Sequence, residues 1–130
     1  MAEHPNVSLL KKGYEAFATG DMATLRELFA DDIVWHVSGA SLLAGDHSGR
    51  EAVFAFFSRS AELSGGTLRI ELHDVLANDE HAVALARETA SRQGKRLNAR
   101  MAQVYHVRNG KVTESWSFAE DQRADDEFWS

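Results

Sequence analysis

An α+β domain is predicted by three observations. Apolar residues recur every three to four positions through the first half of the chain, they recur every second position from Thr67 onward, and Asn109-Gly110 separates two of the alternating runs as a hairpin turn. Val7, Leu10, Tyr14 and Phe17 draw one apolar stripe along a helix from about Asn6 to Thr19, which Gly20 ends. Asp21 then caps a shorter helix whose buried side is Met22, Leu25, Leu28 and Phe29, closed by Asp31-Asp32. Ile33, Trp35 and Val37 alternate with Val34 and His36 in a short strand, and a Gly- and Ser-rich loop follows from Ser38 to Gly49. Ser48 and Glu51 have the spacing of a capping box, so a third helix is expected to carry Val53, Phe56, Phe57 and Ser60 on one face and to end near Gly65-Gly66.

The second half reads as a meander. Leu68, Ile70 and Leu72 alternate with polar residues until the phase slips at Asp74, which predicts a β-bulge. Asn78-Asp79-Glu80 turns the chain into a strand from about His81 to Arg92, and Gln93-Gly94 turns it into another from Leu97 to Val107. Asn109-Gly110 leads into a last strand from Lys111 to about Ala119, and Asp121 to Trp129 is expected to be a short helix or ordered tail. Helices first and an antiparallel sheet afterwards make the fold α+β, with the helices covering one face of the sheet.

At 130 residues and 44% apolar content, the chain suits one domain, residues 1–130, with one core. A formal net charge of -6 gives no electrostatic reason to bind phosphate backbones, so nucleic acid is not an expected partner. No apolar stretch approaches the ~20 residues that span a bilayer, and the first residues lack the basic-then-apolar order of a signal peptide; a cytoplasmic location without membrane association is expected. The absence of cysteine excludes disulfides, thiolate metal sites and a cysteine nucleophile. Six histidines are present, but they are scattered without ligand spacing, and neither a metal nor another cofactor is expected.

The phrases Tyr14-Glu15-Ala16-Phe17, Gly20-Asp21, Leu28-Phe29-Ala30-Asp31-Asp32, Val34-Trp35 and Asn109-Gly110-Lys111-Val112 carry a resemblance over nearly the whole chain. In this order they resemble the SnoaL-like branch of the nuclear transport factor 2-like superfamily. The resemblance implies a cystatin-like cone, in which three N-terminal helices pack in the concave face of a strongly curved, mostly antiparallel sheet around a pocket open at one end. It also implies a homodimer paired through the outer sheet face. It is specific for fold and poor for function, because related members include ketosteroid isomerases, polyketide cyclases, epoxide hydrolases, dehydratases and proteins that only bind.

The steroid isomerase pattern fails at its key positions. Aligned on Phe29-Ala30-Asp31-Asp32, its aspartate base falls on Val37. Aligned on Gly20-Asp21, its helix tyrosine falls on Gly13, with Tyr14 displaced by roughly 100° around the helix. Its acidic strand residue falls near Gln103, whose amide can still donate a hydrogen bond to an oxyanion. The Asp-Arg-Asp set of epoxide hydrolases is incomplete: Arg87, Arg100 and Asp121 are available, with only Asp74 as a second strand aspartate. Polyketide cyclases of this branch need one aspartate to take a proton from an already acidic carbon, and Asp121 is the best match.

The expected function is therefore a cofactor-free isomerase or cyclase that abstracts a proton from a carbonyl-containing, small apolar or polycyclic ligand. Asp121 is the expected base, although it belongs to an acidic run that also reads as a solvated face, and its use requires a kink near Ala119. Gln103, Tyr105 and Tyr14 would orient the oxygen, while Phe17, Trp35 and Trp116 would wall the pocket. His47 would stand at the mouth as an acid or base. His36, out of phase with Trp35 and Val37, is expected on the outer sheet face. The competing readings are a noncatalytic ligand-binding or dimeric interaction domain and an epoxide hydrolase.

Overall fold

A computed structural model describes residues 3–130. The chain forms helices α1 (Pro5–Thr19) and α2 (Met22–Leu28), strands β1 (Phe29–Val37) and β2 (Gly45–Ser48), helix α3 (Arg50–Leu63), strands β3 (Arg69–Ala77), β4 (His81–Arg92), β5 (Lys95–Arg108) and β6 (Lys111–Ala119), and a last helix, α4 (Gln122–Phe128). The α+β class and the cone follow. One six-stranded sheet runs in the order β2-β1-β6-β5-β4-β3. All its pairs are antiparallel except β1 with β6.

Local chemistry explains most boundaries. Gly20 closes α1 in the left-handed conformation (φ 73°), which a residue without Cβ adopts at no steric cost. The Asp21 carboxylate accepts from the Thr24 N–H at 3.1 Å and starts α2. Asn109 (φ 53°) and Gly110 (φ 75°) both take the left-handed conformation required by a two-residue turn that matches the twist of its strands, and Gln93-Gly94 does the same between β4 and β5. The slip at Asp74 is a bulge: Leu72 pairs with Ala86, Asp74 with Leu85, and His73 is the extra residue.

Three expectations are corrected. β1 begins at Phe29, so that residue opens a strand instead of ending a helix. The Ser38–Gly49 segment contains β2, whose Gly45-Asp46-His47-Ser48 sequence has no apolar alternation and is held by pairing with β1 and by the Asp46 carboxylate on His36 Nδ1 at 2.7 Å. The Ser48 capping box does not form: Gly49 is the N-cap of α3, no side chain caps it, and Glu51 pairs with Arg26 instead.

α1 lies against β3 and β4, and α3 against β1 and β2. Between them Leu10, Leu25, Phe29, Ile33, Trp35, Val53, Tyr105 and Val112 make one core, and fully burying an Ile or Val side chain contributes about 1.5–3 kcal/mol. A second cluster of Leu43, Ala90, Leu97, Phe128 and Trp129 seats α4 across the end of the sheet. The β1–β2 loop ties to α4 through Ser38 Oγ donating to Gln122 Oε1 (2.7 Å) and the Ala40 N–H donating to Asp126 Oδ1 (3.1 Å). From the other side, Lys95 Nζ donates to the Glu127 carbonyl at 2.7 Å. No helix among the described residues packs on the convex sheet face, where Leu76, Leu85 and Phe118 are exposed. His36 lies on that face with its ring stacked on Trp116 at 5.2 Å. Among the described residues no helix is long and apolar enough to cross a membrane.

Candidate active site

The cone encloses a cavity of about 120 Å³. Its wall is built from residues whose phase each element sets. β4 turns Ala82, Ala84, Ala86, Glu88 and Ala90 inward, a row in which small side chains leave space and one carboxyl enters it. β5 contributes Met101, Gln103 and Tyr105, α1 contributes Tyr14 and Phe17, and α3 contributes Phe56 and Phe57. Trp35 of β1 touches the Phe57 ring edge-on at 5.3 Å and the Tyr105 ring at 5.8 Å, forming an aromatic wall. Asp125 and Trp129 close the α4 side.

Two polar arrangements interrupt this apolar surface. Tyr14 Oη and Tyr105 Oη lie 2.7 Å apart. One phenol donates to the other, so the pair keeps one O–H free to donate to a ligand. Burial raises both phenols well above their ordinary range and keeps them neutral. Deeper in the sheet, Gln103 Nε2 donates to Ser115 Oγ at 2.7 Å, leaving the amide oxygen as an acceptor at the cavity wall.

Glu88 is the singular group. Burial, then the charge of Asp125, pushes its carboxyl up to about 7, and no hydrogen bond from the described residues offsets the desolvation. Asp125 is also raised, first by burial and then by neighbouring Asp126, with hydrogen bonds from Gln122 and Trp129 pulling the other way. A carboxyl poised near neutral pH inside a cleft is suited to taking and returning a proton.

The structure brings Tyr14, Phe17, Trp35, Gln103 and Tyr105 together in this wall and leaves three candidates outside it. Asp121 is corrected first: it is exposed, and its carboxylate accepts from the Ala124 N–H at 3.1 Å as the N-cap of α4. Replacing it with alanine is expected to lower stability by about 1 kcal/mol, the usual loss for a cap, and to leave ligand binding in the cavity unchanged; denaturant unfolding with a parallel binding assay checks both. Trp116 is on the outer face, 4.8 Å from the His106 ring. The reason is a bulge at Thr113, since Val107 pairs with Val112 but His106 with Glu114. The extra residue shifts the phase, so Ser115, Ser117 and Ala119 point inward in place of Glu114, Trp116 and Phe118. His47 stacks behind Phe56 at 4.7 Å and its Nε2 meets the Leu43 carbonyl at 3.1 Å, which turns it away from the cavity.

The epoxide hydrolase set is not assembled. Arg87 Nη1 donates to Asn98 Oδ1 at 2.7 Å and Arg100 pairs with Glu120, both in exposed positions. Among the described residues, no group of three His, Asp or Glu side chains is placed to hold a metal ion. Residue pattern singles out neither Glu88 nor Asp125 as a site residue. The alternating alanines around Glu88 are a signal that could have found it, whereas Asp125 lies hidden in the acidic run.

The family model for the SnoaL-like domain matches residues 10–115. An uncharacterised protein of Mycobacterium tuberculosis is 36% identical over 100% of both chains. Among solved structures, Bal32a from a soil-derived mobile gene cassette is 42% identical, with a TM-score of 0.93 over 97% of each chain. A protein of unknown function with a cystatin-like fold from Xanthomonas campestris is 27% identical, with a TM-score of 0.90 over 95% of this chain and 97% of that one.

Proposed function

Since this chain belongs to the SnoaL-like family, whose fold hosts more than one chemistry, we propose from its own cavity that it is a cofactor-free acid–base enzyme acting on a small carbonyl compound. The observation that carries the proposal is Glu88, a carboxyl without hydrogen-bonding partners among the described residues, in the same cavity as a neutral Tyr14–Tyr105 pair. Ionised Glu88 takes a proton from the carbon beside the carbonyl. The electron pair moves onto the carbonyl oxygen, where the free phenol O–H holds the enolate. Protonated Glu88 then returns its proton to the same carbon or to a conjugated one, so the reaction is an isomerisation or the proton-transfer stage of a cyclisation and consumes no co-reactant.

Cavity size narrows the substrate. An apolar cavity of about 150 Å³ holds one benzene ring. At about 120 Å³, the enclosed space here takes a single ring or a short branched chain, and a polycyclic molecule would have to leave most of its body outside the mouth. The test is exchange of α-hydrogens with D2O, followed by proton NMR over a panel of enolisable ketones of increasing size. Monocyclic ketones are expected to exchange faster than their buffer-catalysed rate, and three- and four-ring ketones are not. A panel in which no compound exchanges above that rate would return the protein to the noncatalytic binding class.

A further inference from the structure

The cavity has a charge balance that proton transfer alone does not require. Glu88 enters it from β4 and Asp125 from α4, yet among the described residues its lining has no lysine, arginine or histidine. The basic residues nearest in sequence are engaged elsewhere: Arg87 with Asn98, Arg92 with the Ser130 carbonyl, and Lys95 with Glu127. Two carboxyls thus share an apolar enclosure with no counter-ion in its wall, a state that is unfavourable unless they are protonated or a ligand supplies the charge. The remaining walls suit a cation as well, because Tyr14, Phe17, Trp35, Phe56 and Phe57 present aromatic rings, and ring faces attract cations.

We propose that the ligand of this cavity carries a protonated amine, seated at Asp125 and Glu88, with a single apolar ring against the Trp35–Phe57 wall. The site discriminates by charge. A carboxylate or phosphate would add a third negative charge to an enclosure whose donors, among the described residues, are all neutral: phenols, serine hydroxyls, the Gln103 amide and the Trp35 and Trp129 indoles. An ammonium group has three N–H donors to offer these two acids, which lie near enough for the charge of Asp125 to raise Glu88. The titratable groups sharing the cavity with Glu88 are Tyr14 from α1, Tyr105 from β5 and Asp125 from α4, with Asp126 beside the last. The tyrosines stay neutral, so any pH dependence between about 5 and 8 comes from the acids. This inference stands apart from the catalytic reading, because the cation site requires both acids but no turnover.

Three probes of nearly equal shape separate the possibilities: benzylamine, benzyl alcohol and benzoate, each titrated against the full chain while fluorescence of Trp35 and Trp129 is recorded. At pH 8 benzylamine is expected to bind on the order of tenfold more tightly than benzyl alcohol, with benzoate the weakest. That advantage, read as the ratio of amine to alcohol affinity, is expected to shrink at pH 5, where Glu88 is protonated, and to fall severalfold in Asp125→Asn. Benzyl alcohol or benzoate binding as tightly as the amine at pH 8, or no binding by any of the three, would overturn the proposal. The comparison in unmodified protein needs no variant to fold. Its outcome is also independent of the exchange assay, which uses neutral ketones: failure there with amine selectivity intact removes the catalytic reading alone.

Discussion

Replacing Glu88 with glutamine is expected to slow α-hydrogen exchange by about a hundred- to ten-thousand-fold, the range over which a positioned general base acts. Glutamine keeps the shape of the protonated acid and fits the same slot between Ala86 and Ala90, so the loss reports on chemistry and not on packing. The unmodified protein should show the complementary signature. Its exchange rate at saturating ketone should rise as Glu88 ionises and level off above pH of about 7, because only the carboxylate accepts a proton. Retained exchange in the variant would remove Glu88 from the mechanism, whereas an unchanged pH profile in Asp125→Asn would remove the influence of the second acid.

The same substitution should raise stability in alkaline solution by up to roughly 3 kcal/mol, since each tenfold change in proton affinity between the folded and unfolded states is worth about 1.4 kcal/mol. The sign follows from linkage. Glu88 holds its proton up to pH of about 7 in the folded protein but only to its ordinary value of 4.5 when exposed, so between those values the folded state binds more protons than the unfolded state. Folding stability contributed by this group is therefore undiminished below pH 4.5 and is lost as pH rises through 7. Glutamine cannot ionise and escapes that loss. Thermal unfolding of Glu88→Gln should match the unmodified protein near pH 4.5 and exceed it at pH 8 by on the order of 10 °C for a chain of this size. Equal melting temperatures across the range would mean that Glu88 is solvated in the folded state. These two effects oppose one another: the buried acid that lowers stability is the group proposed to supply activity.

His36 has the same direction of linkage from the opposite charge type. Its ring bridges Asp46 of β2 and Glu114 of β6, and those two carboxylates hold it protonated above its ordinary range. Its contribution to stability is complete below about pH 6.5 and is lost as pH rises through the raised value. The group is on the outer face, away from the cavity, and stitches the short edge strand to the sheet.

Much of this architecture can be read from residue pattern, and the failures have physical causes. Alternation from Leu68 to Leu72, the slip at Asp74 and the turns at Gln93-Gly94 and Asn109-Gly110 are local signals, and each appears in the fold. β2 carries no such signal because its Gly45–Ser48 segment becomes a strand only by pairing with β1. Trp116 differs from expectation by one residue of phase: the bulge at Thr113 depends on how β5 and β6 register, which no spacing within β6 reveals. Asp121 draws attention by its position after the last strand, but an aspartate before a helix is more simply a cap. Glu88 sits between Arg87 and Thr89, where a charged pair reads as solvent-facing, and only the closing of the cone buries it. Tyr14, Phe17, Trp35, Gln103 and Tyr105 are legible because apolar phase and cavity wall coincide in a hollow fold.

A carboxyl that keeps its proton to near-neutral pH inside the cavity underlies both the proposed catalysis and the stability effect. The direct measurement is a carbon-13 NMR titration of the glutamate side-chain carboxyls in the free protein, with Glu88→Gln used to identify one resonance. A midpoint near 7 for the Glu88 carboxyl is the predicted result, and a midpoint near 4.5, that of an ordinary exposed glutamate, would contradict it.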